Sequence, residues 1–269
     1  MGTAAQEVAL QPLLTFSSDY GPTDEYVGVC HLVIARIAPD ARVVDLAHGI
    51  RGVRAGSVIL RQSVVEAPDG SVHLAVVDPG VGTDRRGVVI AARRGDVLVG
   101  PDNGLLTPAA DALGGVAAAF ELTNIRYQRE SVSATFHGRD IFAPAAAYLS
   151  LGVRADDFGA GIDASSLVRV PEPSTSISSG ELTSDVARVD WYGNLQLAAT
   201  ASELEQAGFG ERVVVGELDA TIGKTFSDAA PGGLVVYVDS GRHVAIARNG
   251  GSARDLLQDP ERVTLKSKS

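Results

Sequence analysis

Through about residue 165 the chain switches between short continuous apolar runs and longer stretches whose apolar residues recur at helical spacing. LLTF (13–16), RVVDL (42–46), HLAVV (73–77), GVVIAAR (87–93) and DVLVG (96–100) read as strands. Between them, EYVGVCHLVIARIAP (25–39) reads as a helix stopped by Pro39, and GSVILRQSVVEA (56–67) as one ending at Pro68. LLTPAADALGG (105–115) opens a further helical stretch, and IFAPAAAYLSLG (141–152) is another. This alternation predicts an α/β domain over 1–170, built on a parallel or mixed sheet covered by helices.

The pattern changes after Val170. PEPSTSISSGE (171–181) is rich in Pro and Ser, poor in apolar residues, and reads as a linker. Over 182–269, LTSDVARVD, NLQLAAT, ERVVVGEL, GLVVYVD and HVAIARN are short β-like runs separated by Gly, Asp and Asn turns. They predict a small all-β domain, a barrel or a sandwich.

Composition narrows the function classes. With 269 residues, 45% of them hydrophobic and 21% charged, the chain has an ordinary soluble composition and enough length for a sizeable core. A net charge of −10 argues against nucleic acid or an anionic membrane as partner, because phosphate contacts need a basic surface. Cys30 is the sole cysteine, which excludes a disulfide framework and a thiolate metal cluster. MGTAAQEVALQP lacks the basic and apolar regions of a signal peptide, and no apolar stretch reaches the roughly 20 residues of a membrane helix. The expectation is a cytoplasmic protein.

Chemistry concentrates at strand ends. Ser18-Asp19 follows LLTF, Asp45 and His48 lie at and beyond RVVDL, Asp78 follows HLAVV, and Pro101-Asp102-Asn103-Gly104 follows DVLVG. Each alone is an ordinary turn former. Several at one edge of an α/β sheet describe a binding cleft, since ligands sit beyond the carboxyl ends of the strands. HLAVVDPGVGTDRR (73–86) adds glycines that let backbone approach a ligand, then Arg85 and Arg86. TFHGRD (135–140) sets His137 at a helix entry, with Arg139 and Asp140 as an ion pair holding that entry. Neither GxGxxG nor GxxxxGK[ST] is present, so a dinucleotide fold or P-loop is unsupported. The five histidines, 31, 48, 73, 137 and 243, show no HxxxH or HxH spacing, so no metal site is expected. In the all-β part, DWYGN (190–194) is either a turn or a recognition loop, with Trp191 or Tyr192 stacking on a planar ring and Asp190 and Asn194 binding an amine and a carboxylate.

Six motifs occur in order: SSDYGPTDEYVG (17–28), VVDPGVGTDRR (76–86), VGPDNGLLT (99–107), TFHGRDIFAPAAA (135–147), DWYGN (190–194) and SGRHVAIARNGGSA (240–253). Through them the sequence resembles the S-adenosyl-L-methionine hydroxide adenosyltransferase family, hydrolytic relatives of the fluorinase and chlorinase enzymes. The resemblance covers nearly the whole chain. It implies a Rossmann-like N-terminal domain, a smaller barrel-like C-terminal domain, and a homotrimer. It also implies that S-adenosyl-L-methionine binds between the N-terminal domain of one subunit and the C-terminal domain of its neighbour. The family's catalytic residues fall on Asp78, Arg85 and His137. The halogenating relatives carry Tyr where Asp78 stands and lack the Arg and His.

By the same resemblance Asp19 binds the ribose diol, while Asp190 and Asn194 hold the methionine end. Tyr192 and Phe226 line the adenine pocket, and the backbone around Arg248 and Gly250 reads the adenine edge; Asp102 and Asn103, from the strand-end cluster, and Ser240 are further substrate-binding candidates. Two departures are SSDYG, where relatives more often have a Thr-Asp-Phe-Gly-like sequence, and Ala47 in place of a usual Thr. The implied reaction is hydrolysis of S-adenosyl-L-methionine to adenosine and L-methionine at ribose C5′, with no cofactor. Halide-dependent adenosyl transfer and non-catalytic binding of S-adenosyl-L-methionine or a nucleoside are the alternatives.

Overall fold

The protein is described by a computed structural model over residues 13–268; the signal-peptide reading of residues 1–12 lies outside the described residues. The chain divides into two compact units at the Val170–Pro171 junction.

The first unit is a seven-stranded mixed sheet among the described residues. Its strands are β1 (Leu14–Ser18), β2 (Val43–Ala47), β3 (Val72–Val76), β4 (Gly87–Ala92), β5 (Val97–Pro101), β6 (Val116–Glu121) and β7 (Gly161–Ile162). The order is β2-β1-β3-β5-β4-β6-β7. β2, β1, β3 and β5 run parallel, so their carboxyl ends share one edge, the edge expected to carry the polar residues. β4 runs antiparallel between β5 and β6.

Helices cover both faces. Along β3, Val72, Leu74 and Val76 pack with Cys30 and Ile34 of α1 (Tyr26–Ile37) and Ala143–Ala147 of α4 (Ala143–Ser150). Ala75 and Val77 face the other way, onto Leu60 and Val64 of α2 (Val53–Val64) and Ala109–Ala110 of α3 (Thr107–Ala112). The strand's twofold side-chain period therefore assigns the next even position, Asp78, to the α1/α4 face. α1 stops before Pro39, whose ring disfavours helical backbone at the residue ahead of it.

The second unit is a closed barrel. Its strands are β8 (Thr175–Ser178), β9 (Glu181–Val189), β10 (Leu195–Thr200), β11 (Arg212–Val215), β12 (Leu218–Ile222), β13 (Leu234–Val238), β14 (His243–Arg248) and β15 (Arg262–Ser267), with α5 (Ala201–Ala207) and α6 (Ala253–Leu256). The ring runs β9-β10-β14-β13-β12-β11-β15 and returns to β9. Alternate residues fill it, among them Leu195, Leu197, Val213, Val215, Val236, Val244 and Ile246.

One expectation needs correcting. The Pro/Ser-rich stretch 171–181 is not a linker throughout, because Thr175–Ser178 pairs antiparallel with β9 as an edge strand. Its alternate residues Thr175 and Ile177 are partly buried, and Ile177 packs on the barrel core. Two inward side chains are enough to hold a short edge strand against a ready ladder. No helix among the described residues is long and apolar enough to cross a membrane.

Candidate active site

Asp78 lies two residues beyond β3, where the chain reverses through Pro79-Gly80-Val81-Gly82. Val81 N–H bonds back to the Asp78 carbonyl at 3.2 Å, and Thr83 N–H to the Gly80 carbonyl at 3.2 Å. Gly82 adopts φ +77°, and a Cβ there would sit 2.4 Å from the Ala134 carbonyl, so only glycine is accommodated. The reversal returns Arg85 over the strand end. Its Nε donates to both Asp78 oxygens, at 3.0 and 3.1 Å, and Nη2 donates to Oδ2. This is the bidentate pairing that best fixes a guanidinium.

The same Nη2 reaches His137 Nδ1 at 2.7 Å. Arginine can only donate, so Nδ1 accepts, and the neutral imidazole carries its proton on Nε2. Burial and then the Arg85 charge push the His137 pKa below its ordinary value, against opposing pulls from Asp78 and Asp140. His137 enters a π-helical turn, Gly138–Phe142, that leads into α4. Asp140 anchors that turn: it is fully buried and accepts from Arg139 Nε at 2.7 Å, Arg129 Nη1 at 3.2 Å and Ser133 N–H at 2.9 Å. Burial would raise its pKa, but these bonds and the arginine charges outweigh it and hold the carboxyl below the usual range. The expected Arg139–Asp140 pair is thus present, with Arg139 also lying 4.8 Å over the Phe136 ring.

Asp19, directly after β1, joins the group by accepting from Asp78 N–H at 2.9 Å. Burial raises its pKa; the Asp78 N–H opposes this and the negative charge of Asp78 adds to it. Asp19, Asp78, Arg85 and His137 form one continuous chain of contacts.

Tyr20 was not singled out in the sequence, yet a Cβ at Gly138 would lie 1.8 Å from its hydroxyl oxygen. Glycine there is required for the ring to approach. Tyr20 packs edge-on against Phe136 at 5.6 Å, and burial raises its pKa. The signal available was the SSDYG departure, where the tyrosine hydroxyl is the added group.

Asp102 and Asn103 are both engaged within the protein. Asp102 Oδ2 accepts from Arg86 Nε at 3.0 Å and Nη2 at 2.6 Å, while Oδ1 accepts from Val168 N–H at 2.9 Å. Asn103 donates to the Val77 carbonyl at 2.8 Å and accepts from Leu105 N–H at 3.2 Å. Consecutive arginines diverge, Arg85 turning to Asp78 and Arg86 to Asp102, while Asn103 is held by backbone on either side of it.

In the barrel unit, Asp190, Asn194 and Ser240 line one cavity of about 380 Å³, together with Arg188, Lys224, Tyr237 and Asp239. Asp190 shapes the DWYGN turn by accepting from Tyr192 N–H and Asn194 N–H, both at 2.9 Å, and from Asn194 Nδ2 at 2.8 Å. Burial, then Asp190 and Asp239, raise the Tyr237 pKa. Cations beside carboxylates suit a zwitterion. Arg188 and Lys224 carried no distinctive sequence spacing and were not anticipated. Phe226 stacks edge-on at 5.5 Å on Tyr237, outside the lining. Tyr192 is 76% exposed and Trp191 92%, and Arg248 bonds the Gly232 carbonyl at 3.1 Å beside the Gly250 turn. Among the described residues no group of three or more His, Cys, Asp or Glu side chains is arranged to hold a metal ion.

Comparison with known proteins agrees in both units. A crystal structure of an uncharacterized conserved protein from Thermotoga maritima superposes with a TM-score of 0.84 at 33% identity, covering 94% of this chain and all of the other. The (R)-S-adenosyl-L-methionine hydrolase of Salinispora arenicola is 50% identical over 252 residues, 93% of this chain and 95% of that protein. A fluorinase from an Actinoplanes species is 28% identical, over 88% and 91% of the two chains. Residues 14–159 match the SAM hydroxide adenosyltransferase N-terminal domain and 184–261 the corresponding C-terminal domain. With both domains matched in order, the chain belongs to the SAM hydroxide adenosyltransferase family.

Proposed function

We propose that the protein hydrolyses S-adenosyl-L-methionine to adenosine and L-methionine. The observation that carries this reading is the Asp78–Arg85–His137 chain, which suits activation of water. The substrate is a sulfonium, so attack at ribose C5′ breaks the C5′–S bond, expels methionine as a neutral thioether and needs no acid. Water is the difficult partner, being a poor nucleophile unless a proton is removed as it attacks. The depressed pKa of His137 favours the neutral imidazole, whose one lone pair, at Nδ1, is held by Arg85 Nη2. The attacking water therefore has to replace that N–H at Nδ1. As its proton passes to Nδ1, the Nη2 N–H of Arg85 turns to the nascent hydroxide. Asp78 holds the guanidinium in place throughout.

Asp19 takes the ribose diol, and Asp190 with Asn194 takes the amino-acid end, whose two charges the surrounding Arg188, Lys224 and Asp239 match. Asp102 and Asn103 act behind the strand ends as supports rather than as contacts. The exposed rings of Tyr192 and Phe226, with the Arg248–Gly250 backbone, take the adenine. We place this chemistry in a cytoplasmic homotrimer whose neighbouring subunits share each site, without a cofactor. The S. arenicola relative's name specifies the R configuration, and we extend that preference to this chain.

Product analysis tests the reading. Separate incubations with the R and S sulfonium epimers, with and without chloride, should yield adenosine and methionine, faster from R. A chlorinated nucleoside in chloride would instead support halide transfer, and bound but unchanged substrate would reduce the protein to a binding module.

A further inference from the structure

Beside the site, Ser18, His48, Asp45 and His31 form a second polar chain that the chemistry above does not use. Ser18 Oγ lies 2.7 Å from His48 Nδ1, and His48 Nε2 lies 3.2 Å from Asp45 Oδ1. His31 Nε2 meets the same carboxylate at 2.9 and 3.1 Å. Ser18 is fully buried, which rules out a nucleophile despite the Ser-His-Asp composition. Its Oγ instead accepts from Tyr20 N–H at 3.3 Å. The loop carrying His48 bonds the same turn twice more: Gly49 N–H donates to the Tyr20 carbonyl at 2.7 Å and Ile50 N–H to the Ser18 carbonyl at 3.1 Å. Phe16 packs edge-on against both imidazoles, with centroids at 4.8 Å for His48 and 5.9 Å for His31.

We propose that His48 is a positioning residue, holding the Ser18–Tyr20 turn so that Asp19 and Tyr20 face the site. Asp19 is gripped on one flank by β3, through Val76 O at 3.0 Å and Asp78 N–H at 2.9 Å. The His48 loop supplies the grip on the other flank. His48 Nε2 is buried and its contact with Asp45 lacks a hydrogen bond's alignment. Packing alone would favour an apolar side chain at such a place, because an unaligned buried polar atom costs stability. Retaining the imidazole makes sense if its other nitrogen, Nδ1, has work at Ser18.

The proposal rests on Asp19 as the ribose ligand, and its test separates the two ideas. Hydrogen exchange at the Tyr20 and Gly49 amides reads the turn without substrate, and steady-state kinetics read its consequence. In His48→Ala the two amides should exchange about tenfold faster, and KM should rise about 3- to 10-fold with kcat within about twofold, as expected for one lost hydrogen bond. His48→Asn, whose amide can occupy the Nδ1 position, should restore both. Combining His48→Ala with Asp19→Ala should raise KM no further than Asp19→Ala does. His48→Gln, which cannot reach Ser18 in the same way, serves in place of His48→Ala if that variant does not fold. Protected amides in both His48→Ala and His48→Gln overturn the proposal whatever the kinetics show. So do multiplicative KM effects in the double variant, or a loss confined to kcat. If the amides loosen as expected but Asp19→Ala leaves KM unchanged, the turn is held by His48 and the ribose assignment is what fails.

Discussion

The polar clusters of the two units are built in opposite ways. At the sheet edge, Asp78, Arg85 and His137 satisfy one another at 2.5–3.1 Å and are held by a sharp reversal and a π-helical turn. In the barrel, the Asp190–Asn194 turn is just as ordered, yet it borders an open cavity and carries a ring 92% exposed at Trp191. The first arrangement fixes charges in advance of any substrate, which is how an enzyme stabilises a transition state without reorganising. The second leaves apolar rings and unequal charges facing outward, as a recognition surface does before it is covered.

That contrast predicts a division of kinetic effects. The largest should come from the preorganised chain. His137→Ala, Arg85→Ala and Asp78→Ala should each lower kcat by about 10²-fold or more, the range expected when a general base or its electrostatic support is lost, with little change in KM. Arg85→Lys should not rescue, because a lysine ammonium cannot bridge Asp78 and His137 with a planar fork. Turnover near the wild-type rate in all three alanine variants would remove the assigned chemistry.

Recognition residues should show the reverse pattern, and more weakly. Asp190→Ala removes the acceptor of three hydrogen bonds that shape the turn, and with it a charge bordering the cavity. KM should rise on the order of 10-fold, with kcat retained, since hydrogen bonds to charged groups are worth about 1.5–3 kcal/mol. A matching fall in kcat would blur the division, placing the barrel residues in the transition state as well as the ground state.

The sequence disclosed these regions unevenly. Asp78 was readable because strand periodicity and a Pro-Gly-Val-Gly turn are local, and the parallel strand ends follow from the alternation of elements. The antiparallel insertion of β4 was not, since an apolar run such as GVVIAAR carries no direction. Spacing alone did not separate Arg85 from Arg86; the family resemblance assigned the role to Arg85, and the fold adds that Arg85 meets Asp78 while Arg86 meets Asp102. The Tyr20–Gly138 approach depends on two distant segments meeting. The edge strand in 171–181 was masked by composition, although Thr175 and Ile177 already alternated with Ser176 and Ser178.

The smallest predicted effect probes the preorganisation directly, through the titration of His137. Its pKa is depressed first by burial and second by Arg85, while Asp78 and Asp140 pull it upward. Protonating the imidazole creates a second cation against the guanidinium, so Arg85→Gln should move the His137 pKa up, toward its ordinary value. Asp78→Asn should move it the other way, because a compensating negative charge is lost. NMR titration of the ring protons measures both shifts without needing activity. The sign also fixes a stability effect. A histidine whose folded pKa lies below its unfolded one contributes its full share above the unfolded pKa. That share is lost as pH falls through the folded value. Arg85→Gln should therefore soften the acid-side decline in melting temperature. An unmoved His137 titration in both variants would mean that the contact seen between Nη2 and Nδ1 does not set the protonation state on which the base depends.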